Sequence, residues 1–194
     1  MVTINEIEVI RIGSQTWQLS NLNVDKFRNG DPIEQVLDDE EWEQRTANGN
    51  PSWCYYNNDP ENGIKYGKLY NWWAVNDIRG LAPIGFHIPT DDEWTYLINF
   101  LGGMDNAGTK MKSTSGWKKN GNGTDESGFK GIPNANRYLQ GGFDSFDNDN
   151  SYWWSSTESN KYMAWFWNLY FYDGKVVRNQ AYKDAGMCIR CVAD

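Results

Sequence analysis

The clearest pattern of apolar and polar positions along the chain lies in residues 91–101. The i, i+3, i+4, i+7 spacing of an amphipathic helix is met by Trp94, Leu97, Ile98 and Leu101. Thr90 stands just before this segment, and Glu93 follows three residues later, which is the spacing of a capping box. The pattern therefore predicts a helix over residues 91–101 that ends at Gly102 and packs its apolar stripe on the core.

Alternating apolar and polar positions predict antiparallel hairpins at both ends of the chain. Residues 7–12 and 15–19 are separated by Gly13 and Ser14, an arrangement typical of two strands joined by a tight turn. Near the C-terminus, residues 164–172 and 175–179 flank an Asp-Gly pair, which is a strong hairpin signal. A last strand is predicted over residues 187–192.

The segments between these elements have weaker patterns. A short polar helix is predicted over residues 38–45, with Asp38 as its N-cap and Trp42 as its one large anchor. Residues 48–66 and 104–151 are rich in Asn, Asp and Gly and are predicted to be mostly loop. Residues 69–75 fit a buried helix and a strand equally well, because so short an apolar run has no decisive period.

Length and composition agree with one α+β domain over residues 1–194. The chain has 194 residues, enough for a sizeable core, and no internal repeat is found. Aromatic residues make up 15% of it, including 11 Trp, and there are 19 Gly. Many aromatic residues and glycines with few aliphatic residues favour short elements and long loops over a helical bundle.

Charge and hydropathy exclude two classes of partner. The net charge is −8, from 18 basic and 26 acidic residues, and no run of Lys or Arg forms a basic patch. Nucleic acid is therefore excluded as a partner, because its phosphates would be repelled. No apolar stretch approaches the roughly 18 residues of a membrane span, so no membrane insertion is predicted. The N-terminus does not have the features of a signal peptide, so we expect an intracellular chain or one whose leader has been removed.

The cysteines and the single histidine give no support for an enzyme. The cysteines are Cys54, Cys188 and Cys191, and an odd number excludes a fully paired disulfide framework. Cys188 and Cys191 are three apart on a predicted strand, so their side chains should point to opposite faces as buried thiols rather than grip a metal. His87 is the only histidine, and a zinc site or a nucleophile–histidine pair would depend on it. We predict that the chain is not an enzyme.

The aromatic C-terminal hairpin is the strongest candidate for a binding surface. On a strand, Trp165, Trp167, Leu169 and Phe171 share one face, and the intervening residues share the other. We expect this second face to point outward, because exposed tyrosines with asparagine are typical of recognition surfaces. The predicted ligand-binding residues are Phe166, Asn168, Tyr170, Tyr172, Arg178, Asn179, Gln180 and Tyr182. The alternative, in which loop residues 104–151 bury both faces, stays open.

Two acidic loops are candidates for a structural calcium ion. Oxygen ligands recur at Asp144, Asp147 and Asp149, although the run does not have the twelve-residue EF-hand pattern. A second candidate loop contains Asn57, Asp59, Glu61 and Asn62. Solvated loops without a metal are the alternative at both places.

Six motifs stand in a characteristic order along the chain. They are TWQLSNL at 16–22, YGKLYNW at 66–72, PIGFHIPTDDEW at 83–94, NGTDESGF at 122–129, YWWSSTE at 152–158 and IRCV at 189–192. Together they resemble the Fibrobacter succinogenes major paralogous domain family, over about residues 7–194. Members are common in surface and secreted proteins of Bacteroidetes, so the resemblance implies an extracellular or cell-surface location.

The resemblance also implies a fold. The family looks related to the formylglycine-generating-enzyme branch of the C-type-lectin-like fold, with two helices around a small antiparallel sheet and long loops. The first and last strands would then lie close together, and His87 would make a structural hydrogen bond into the core. Diversity-generating retroelements often use this fold for variable proteins, in which the final hairpin is the diversified surface.

The chain departs from its relatives at informative positions. Many members have a cysteine that pairs with the terminal strand where this chain has Ala82, so Cys191 loses that partner. Cys188 and Cys191 cannot be matched one by one to the redox cysteines of formylglycine-generating enzymes, so no catalysis is carried over. Of the lectin calcium tripeptides, Glu-Pro-Asn and Gln-Pro-Asp are absent, and residues 167–169 keep only a fragment of Trp-Asn-Asp.

These observations predict a non-enzymatic module that binds a protein or a glycan through its aromatic C-terminal hairpin. One alternative is a retroelement-diversified receptor of a phage or cell envelope. The other is a degenerate relative of the formylglycine-generating oxidases, which would bind copper through Cys188 and Cys191.

Overall fold

The computed structural model describes residues 2–145 and 148–194 and has an α+β architecture of several small sheets and short helices. The helices are α1 (Asp39–Ala47), α2 (Pro60–Tyr66), α3 (Trp72–Val75), α4 (Asp91–Phe100) and α5 (Ala107–Met111). Single 3₁₀ turns occur at Tyr56–Asn58 and Lys118–Asn120. None of the helices in the described ranges combines the length and the apolar character needed to cross a bilayer.

Most strands are short, and they fall into three sheets. They are β1 (Val2–Ile4), β2 (Ile7–Ile12), β3 (Gln15–Gln18), β4 (Glu34–Gln35), β5 (Ser52–Cys54), β6 (Leu69–Asn71), β7 (Phe86–His87), β8 (Asn150–Glu158), β9 (Met163–Tyr170), β10 (Val176–Tyr182), β11 (Gly186–Met187) and β12 (Val192–Ala193). The sheet orders are β1-β2-β3-β12-β7, β11-β6-β5-β4 and β10-β9-β8.

The five-stranded sheet joins the two ends of the chain. The predicted N-terminal hairpin is confirmed as β2 and β3, which pair antiparallel with Val9 opposite Gln18. Val192 of β12 pairs with Trp17 on one side and with His87 on the other. The single strand predicted over residues 187–192 is wrong, because β11 and β12 are separate short strands that belong to different sheets.

The two predicted helices are confirmed by their caps. Thr90 Oγ1 accepts from the Glu93 N–H at 3.2 Å, and a Glu93 carboxylate oxygen accepts from the Thr90 N–H at 2.8 Å, so the α4 capping box is complete. Asp38 caps α1 by accepting from the Glu41 N–H at 2.9 Å. Both starts depend on residues close in sequence, which is why the pattern located them.

The loop predicted over residues 48–66 is wrong, because it contains β5 and α2. Helix α2 begins at Pro60, and Asp59 caps it by accepting from the Glu61 N–H at 3.0 Å. The ambiguous segment 69–75 contains a strand and then a helix. Asn71 ends β6 and caps α3, since its side-chain oxygen accepts from the Ala74 N–H at 3.1 Å.

Strand β9 lies between two clusters of buried apolar side chains. Ala164 and Phe166 belong to the first cluster, and Trp167 and Leu169 belong to the second. In the second cluster, the ring of Trp94 from α4 stacks 6.4 Å from the ring of Trp167. Both faces of the C-terminal hairpin are therefore covered along much of β9, and this cover decides which residues can reach a ligand.

Candidate functional site

The eight predicted ligand-binding residues are divided between the two faces of the hairpin and the core. The register places Asn179 opposite Phe166, and Arg178 opposite Trp167, so neighbouring predicted residues point to opposite faces. Phe166 is 8% exposed and Asn168 is fully buried, so the expectation that both face outward is wrong. The open alternative, in which both faces are buried, holds for these two positions.

The tyrosines near the hairpin turn form a small exposed stack. Tyr172 is 64% exposed, and its ring stacks on the half-buried Tyr170 with centroids 5.1 Å apart. A polar cavity of about 190 Å³ beside them is lined by Tyr172, Asn120, Asn122 and Lys112. This end is shallow and presents one exposed ring.

A richer aromatic surface lies at the opposite end of the hairpin. Tyr138, Tyr162 and Tyr182, here called the tyrosine rim, are 45%, 63% and 49% exposed. One cavity of about 230 Å³ is lined by Tyr162, Tyr182 and the half-buried Trp73. A second cavity of about 280 Å³ is lined by Tyr138, Tyr182 and Phe166. Tyr182 borders both cavities, so the rim and its cavities form one continuous surface.

The floor of the rim is held by a hydrogen bond, a cation–π contact and an ion pair. The Trp73 indole N–H donates to Asp184 at 2.8 Å, and Lys183 Nζ lies 5.3 Å from the Trp73 ring centroid. Lys183 is 4% exposed and donates to Glu158 at 2.9 Å. These contacts fix Trp73 before any ligand arrives, which limits the entropy lost on binding.

The loop that carries Tyr138 is tied to the first helix by a buried arginine. Arg137 is fully buried, and its guanidinium donates to carbonyl groups of residues 36–38 and to the Asp39 carboxylate at 2.8 Å. The Tyr138 and Tyr152 hydroxyls donate to the two carboxylate oxygens of Asp144 at 2.9 and 3.0 Å. Burial and then the Asp144 charge raise the pKa of Tyr152, and burial and then a hydrogen bond to Asp144 raise that of Tyr138, so both phenols stay neutral donors.

The predicted calcium loops take different roles in the structure. The Asp144 carboxylate accepts hydrogen bonds from two tyrosines. Asp147 lies outside the described residues. The backbone oxygen of Asp149 accepts from the Phe171 N–H at 2.8 Å. In the second candidate loop, Asp59 caps α2. Within residues 2–145 and 148–194, no group of three or more acidic, histidine or cysteine side chains could hold a metal ion. Both calcium sites stay predictions.

On the other face of the hairpin, Arg178 is held over a tryptophan. The Arg178 Nε donates to both Asp91 oxygens at 2.9 Å, and its Nη2 lies 2.7 Å from Asp91 Oδ2. The guanidinium carbon lies 3.3 Å from the Trp165 ring centroid. The Trp167 indole N–H also donates to Asp91, at 3.1 Å. A cavity of about 350 Å³, lined by Asp91, Met104, Trp167 and Arg178, opens beside this pair.

The thiols are buried, as the sequence predicted. Cys54, Cys188 and Cys191 are all free, and burial raises the pKa of each to about 12. Cys188 packs in the second core cluster and Cys191 in the first, so the two point to different sides of the core. Such thiols are poor nucleophiles and poor metal ligands.

His87 lies between two carboxylates rather than bonding into the core, so that expectation is wrong. Its Nε2 is 2.7 Å from Glu93 Oε1, and its Nδ1 is 2.8 Å from Asp194 Oδ1. Burial lowers the pKa of His87, but the hydrogen bonds to Glu93 and Asp194 outweigh it, and the net pKa is raised. The histidine links the C-terminal segment to the α4 cap.

This pKa shift predicts a pH-dependent contribution to stability. A raised histidine pKa stabilises the folded state fully below the unfolded pKa of about 6.5, and the contribution is lost as pH rises through the folded pKa. His87→Gln is therefore expected to lower the free energy of unfolding more at pH 6 than at pH 9. The difference should be less than about 1 kcal/mol, because the ring is partly solvated. Urea unfolding of both proteins at the two pH values measures this, and an equal cost at pH 6 and pH 9 contradicts it.

Sequence reasoning missed three residues of this surface, namely Trp73, Tyr138 and Tyr162. Trp73 lies in the segment whose type the pattern left open, and Tyr138 lies in the long predicted loop. Only the chain's path over the hairpin brings them to Tyr182, which the sequence did predict. No pattern of neighbouring residues in the sequence predicts this contact.

Comparison with known proteins gives a family and no relative of known activity. The model of the Fibrobacter succinogenes major domain matches residues 10–193. No curated protein and no solved structure matches the chain. Because the match spans nearly the whole sequence, the chain belongs to the Fibrobacter succinogenes major domain family.

Proposed function

We propose that this chain is a non-enzymatic binding module with a C-type-lectin-like fold that holds a protein or a glycan on its tyrosine rim. We further propose that it acts at the cell surface or in secreted material, as the family resemblance implies. The five-stranded sheet supports the fold, because it places β12 beside the N-terminal hairpin, and this fold is expected to bring the first and last strands close together.

The observation that carries the proposal is the set of three exposed tyrosines around two adjoining cavities. Tyr138, Tyr162 and Tyr182 combine a flat apolar ring with a hydroxyl, so they suit both sugar faces and polypeptide surfaces. Their rings are large and have few rotatable bonds, so little entropy is lost on contact. A cluster of this kind marks a binding site more often than scattered single residues do.

Several features support the absence of catalysis. The thiols are buried with a raised pKa, which disfavours the oxidase alternative and its copper site. His87 is engaged at both ring nitrogens by carboxylates. The cavities at the rim are lined mainly by aromatic, amide and aliphatic side chains, which suit binding more than proton transfer.

Removing two rim tyrosines is expected to abolish capture. The double variant Tyr162→Ala/Tyr182→Ala should bind its ligand at least about 30-fold more weakly, because even one aromatic anchor at an interface contributes about 2 kcal/mol or more. The measurement is retention on a glycan array and capture of proteins from an envelope extract, followed by titration of each captured ligand.

The matched control is Phe100→Ala, which removes an exposed aromatic ring (57% exposed) on α4, outside the rim. It should bind as the wild type does. Equal affinity of the double variant and the wild type would rule out the rim as the site. Repeating the assay with Ca²⁺ and with EDTA tests the calcium prediction, and calcium-dependent capture would move the site towards Asp144, Asp147 and Asp149.

One observation favours the retroelement alternative. Asn179 and Gln180 are consecutive exposed residues on β10 that could vary without disturbing the core, whereas Arg178 holds the buried Asp91. Under this alternative, sibling isolates should differ at these positions and carry an adjacent template repeat. A uniform locus without a repeat argues against it.

A further inference from the structure

Strand β10 forms the outer edge of the sheet β10-β9-β8. The Lys183 N–H donates to the Tyr162 carbonyl at 3.0 Å, which continues a register in which Tyr182 stands opposite Met163. Hydrogen-bonded and non-hydrogen-bonded pairs alternate in an antiparallel ladder. The odd-numbered residues of β10 therefore bond to β9, and the even-numbered residues direct their backbone groups away from it.

The backbone of Val176 confirms that even-numbered residues point away from β9, because its N–H donates to the Met104 carbonyl at 2.8 Å. The next outward N–H groups belong to Arg178, Gln180 and Tyr182. In the part of the chain that the structure describes, none of the three meets an acceptor. The carbonyls of Arg178 and Gln180 also accept no bond there, whereas the Tyr182 carbonyl accepts from the Ala185 N–H at 3.0 Å.

This edge has few of the protections that proteins usually give to an open strand. Its register with β9 is continuous over seven pairs, so it has no bulge, and it contains no proline. Residues 177–182 leave about 20 Å of edge open, at about 3.4 Å per residue. The segment is long enough for a partner strand of five or six residues.

Two cavities flank the edge on opposite faces. The cavity of about 350 Å³ is lined by Trp167 and Arg178, which share one face of the hairpin. The cavity of about 280 Å³ reaches the other face at Phe166 and Ala181, and it is also lined by Gln180 and Tyr182 at the edge itself. Successive side chains of an added strand point to opposite faces, so neighbouring residues would each reach a cavity.

The charge of the edge indicates which side chains fit. The chain has net charge −8, yet the middle of the edge carries Arg178. Asp91 holds the Nε and Nη2 of that guanidinium, and within the described residues no acceptor meets Nη1. A carboxylate on a partner strand would find this donor preoriented over Trp165.

We propose that the β10 edge takes an extended polypeptide segment as a fourth strand, with apolar side chains in the two flanking cavities and an acidic side chain at Arg178. This inference deepens the proposed function and rests on the hairpin being the binding surface. A glycan cannot complete the backbone ladder. A second copy would bring the polar side chains of its own residues 178–180 to the cavities, and two chains of net charge −8 repel each other.

The test is Gln180→Pro, because proline removes the central outward N–H and leaves the ladder to β9 intact. The probe is a set of nine-residue peptides selected by the wild-type chain from a displayed random library. We expect selected peptides to contain alternating apolar residues and an acidic residue, and to bind Gln180→Pro at least about tenfold more weakly. Gln180→Ala keeps the N–H and is expected to weaken binding less than Gln180→Pro does.

Hydrogen exchange gives a readout that misfolding would not produce. In the peptide complex, the amide hydrogens of Arg178, Gln180 and Tyr182 are expected to become protected. An unchanged melting temperature of Gln180→Pro shows that the variant folds. If Gln180→Pro has a lower melting temperature, the hydrogen-exchange protection of the wild-type complex alone tests strand addition.

The inference is overturned by selection of no peptide, by equal binding to wild type and Gln180→Pro, or by protection outside β10. If the wild type sediments as a dimer and Gln180→Pro sediments as a monomer, the edge pairs with a second copy of the chain instead. If Tyr162→Ala/Tyr182→Ala loses its captured ligand while Gln180→Pro keeps it, the proposed function stands and strand addition fails; if both variants keep it, both fail.

Discussion

Replacing Trp94 by alanine is expected to lower the free energy of unfolding by about 3–5 kcal/mol. The side chain is fully buried, and its ring centroid lies 4.8 Å from that of Trp17, 6.0 Å from Phe129, 6.1 Å from Trp153 and 6.4 Å from Trp167. Four large rings cannot collapse into the space of a fifth, so most of the cavity should persist.

Trp94→Phe should lower the free energy of unfolding by less than half as much as Trp94→Ala does. The Trp94 indole N–H finds no acceptor among the described residues, so phenylalanine removes an unsatisfied buried donor while it keeps most of the ring volume. Urea unfolding of both variants measures the difference. Phe100→Ala on the same helix is the surface control and should change stability by no more than about 0.5 kcal/mol. A loss below about 1 kcal/mol for Trp94→Ala would mean that the aromatic cluster repacks.

The second large effect is expected at Arg137. Arg137→Ala should cost about 3–5 kcal/mol, because it leaves buried acceptors without a donor and opens a void beside Trp42. The Nε donates to the Gly141 carbonyl at 2.5 Å, and Nη1 donates to the Val36 carbonyl at 2.6 Å. The guanidinium carbon lies 4.5 Å from the Trp42 ring centroid.

Arg137→Lys tests whether charge or geometry matters. Lysine keeps the charge but cannot direct donors to five separate acceptors in the guanidinium plane, so it should cost nearly as much as alanine. Because this loop carries Tyr138, both variants should also weaken ligand capture at temperatures where they stay folded. Unfolding and binding titrations measure the two effects. Full rescue by lysine would show that a positive charge alone is sufficient.

Local chemistry explains which elements were predictable. Helix α4 has its stripe, its Thr90 cap and its Glu93 partner within a few residues, and the structure confirms all three. The β2–β3 hairpin is likewise determined by one turn. The C-terminal strand was mispredicted because residues 188–191 are buried by packing, the charged Arg190 included, and do not pair as one continuous strand.

The candidate site depended on contacts that are distant in sequence. The alternation along β9 correctly indicated that Phe166, Asn168 and Tyr170 share a face. It could not show that residues such as Leu139 lie over that face, so that Phe166 lines a cavity instead of being exposed. Of the predicted set, Tyr182 lies on the rim, and Arg178 and Gln180 lie on the open edge.

The sequence alone determined the family, the α+β class, the capped helix α4 and the N-terminal hairpin, because each depends on residue types at short, regular spacing. Tertiary structure decided which aromatic residues are core and which are surface. Trp165 and Tyr182 have the same chemistry as buried rings elsewhere in the chain, and only the elements packed against them set their exposure. A strand's period assigns its residues to faces, but the cover of each face comes from segments that can lie about a hundred residues away, such as α3 beside Tyr182.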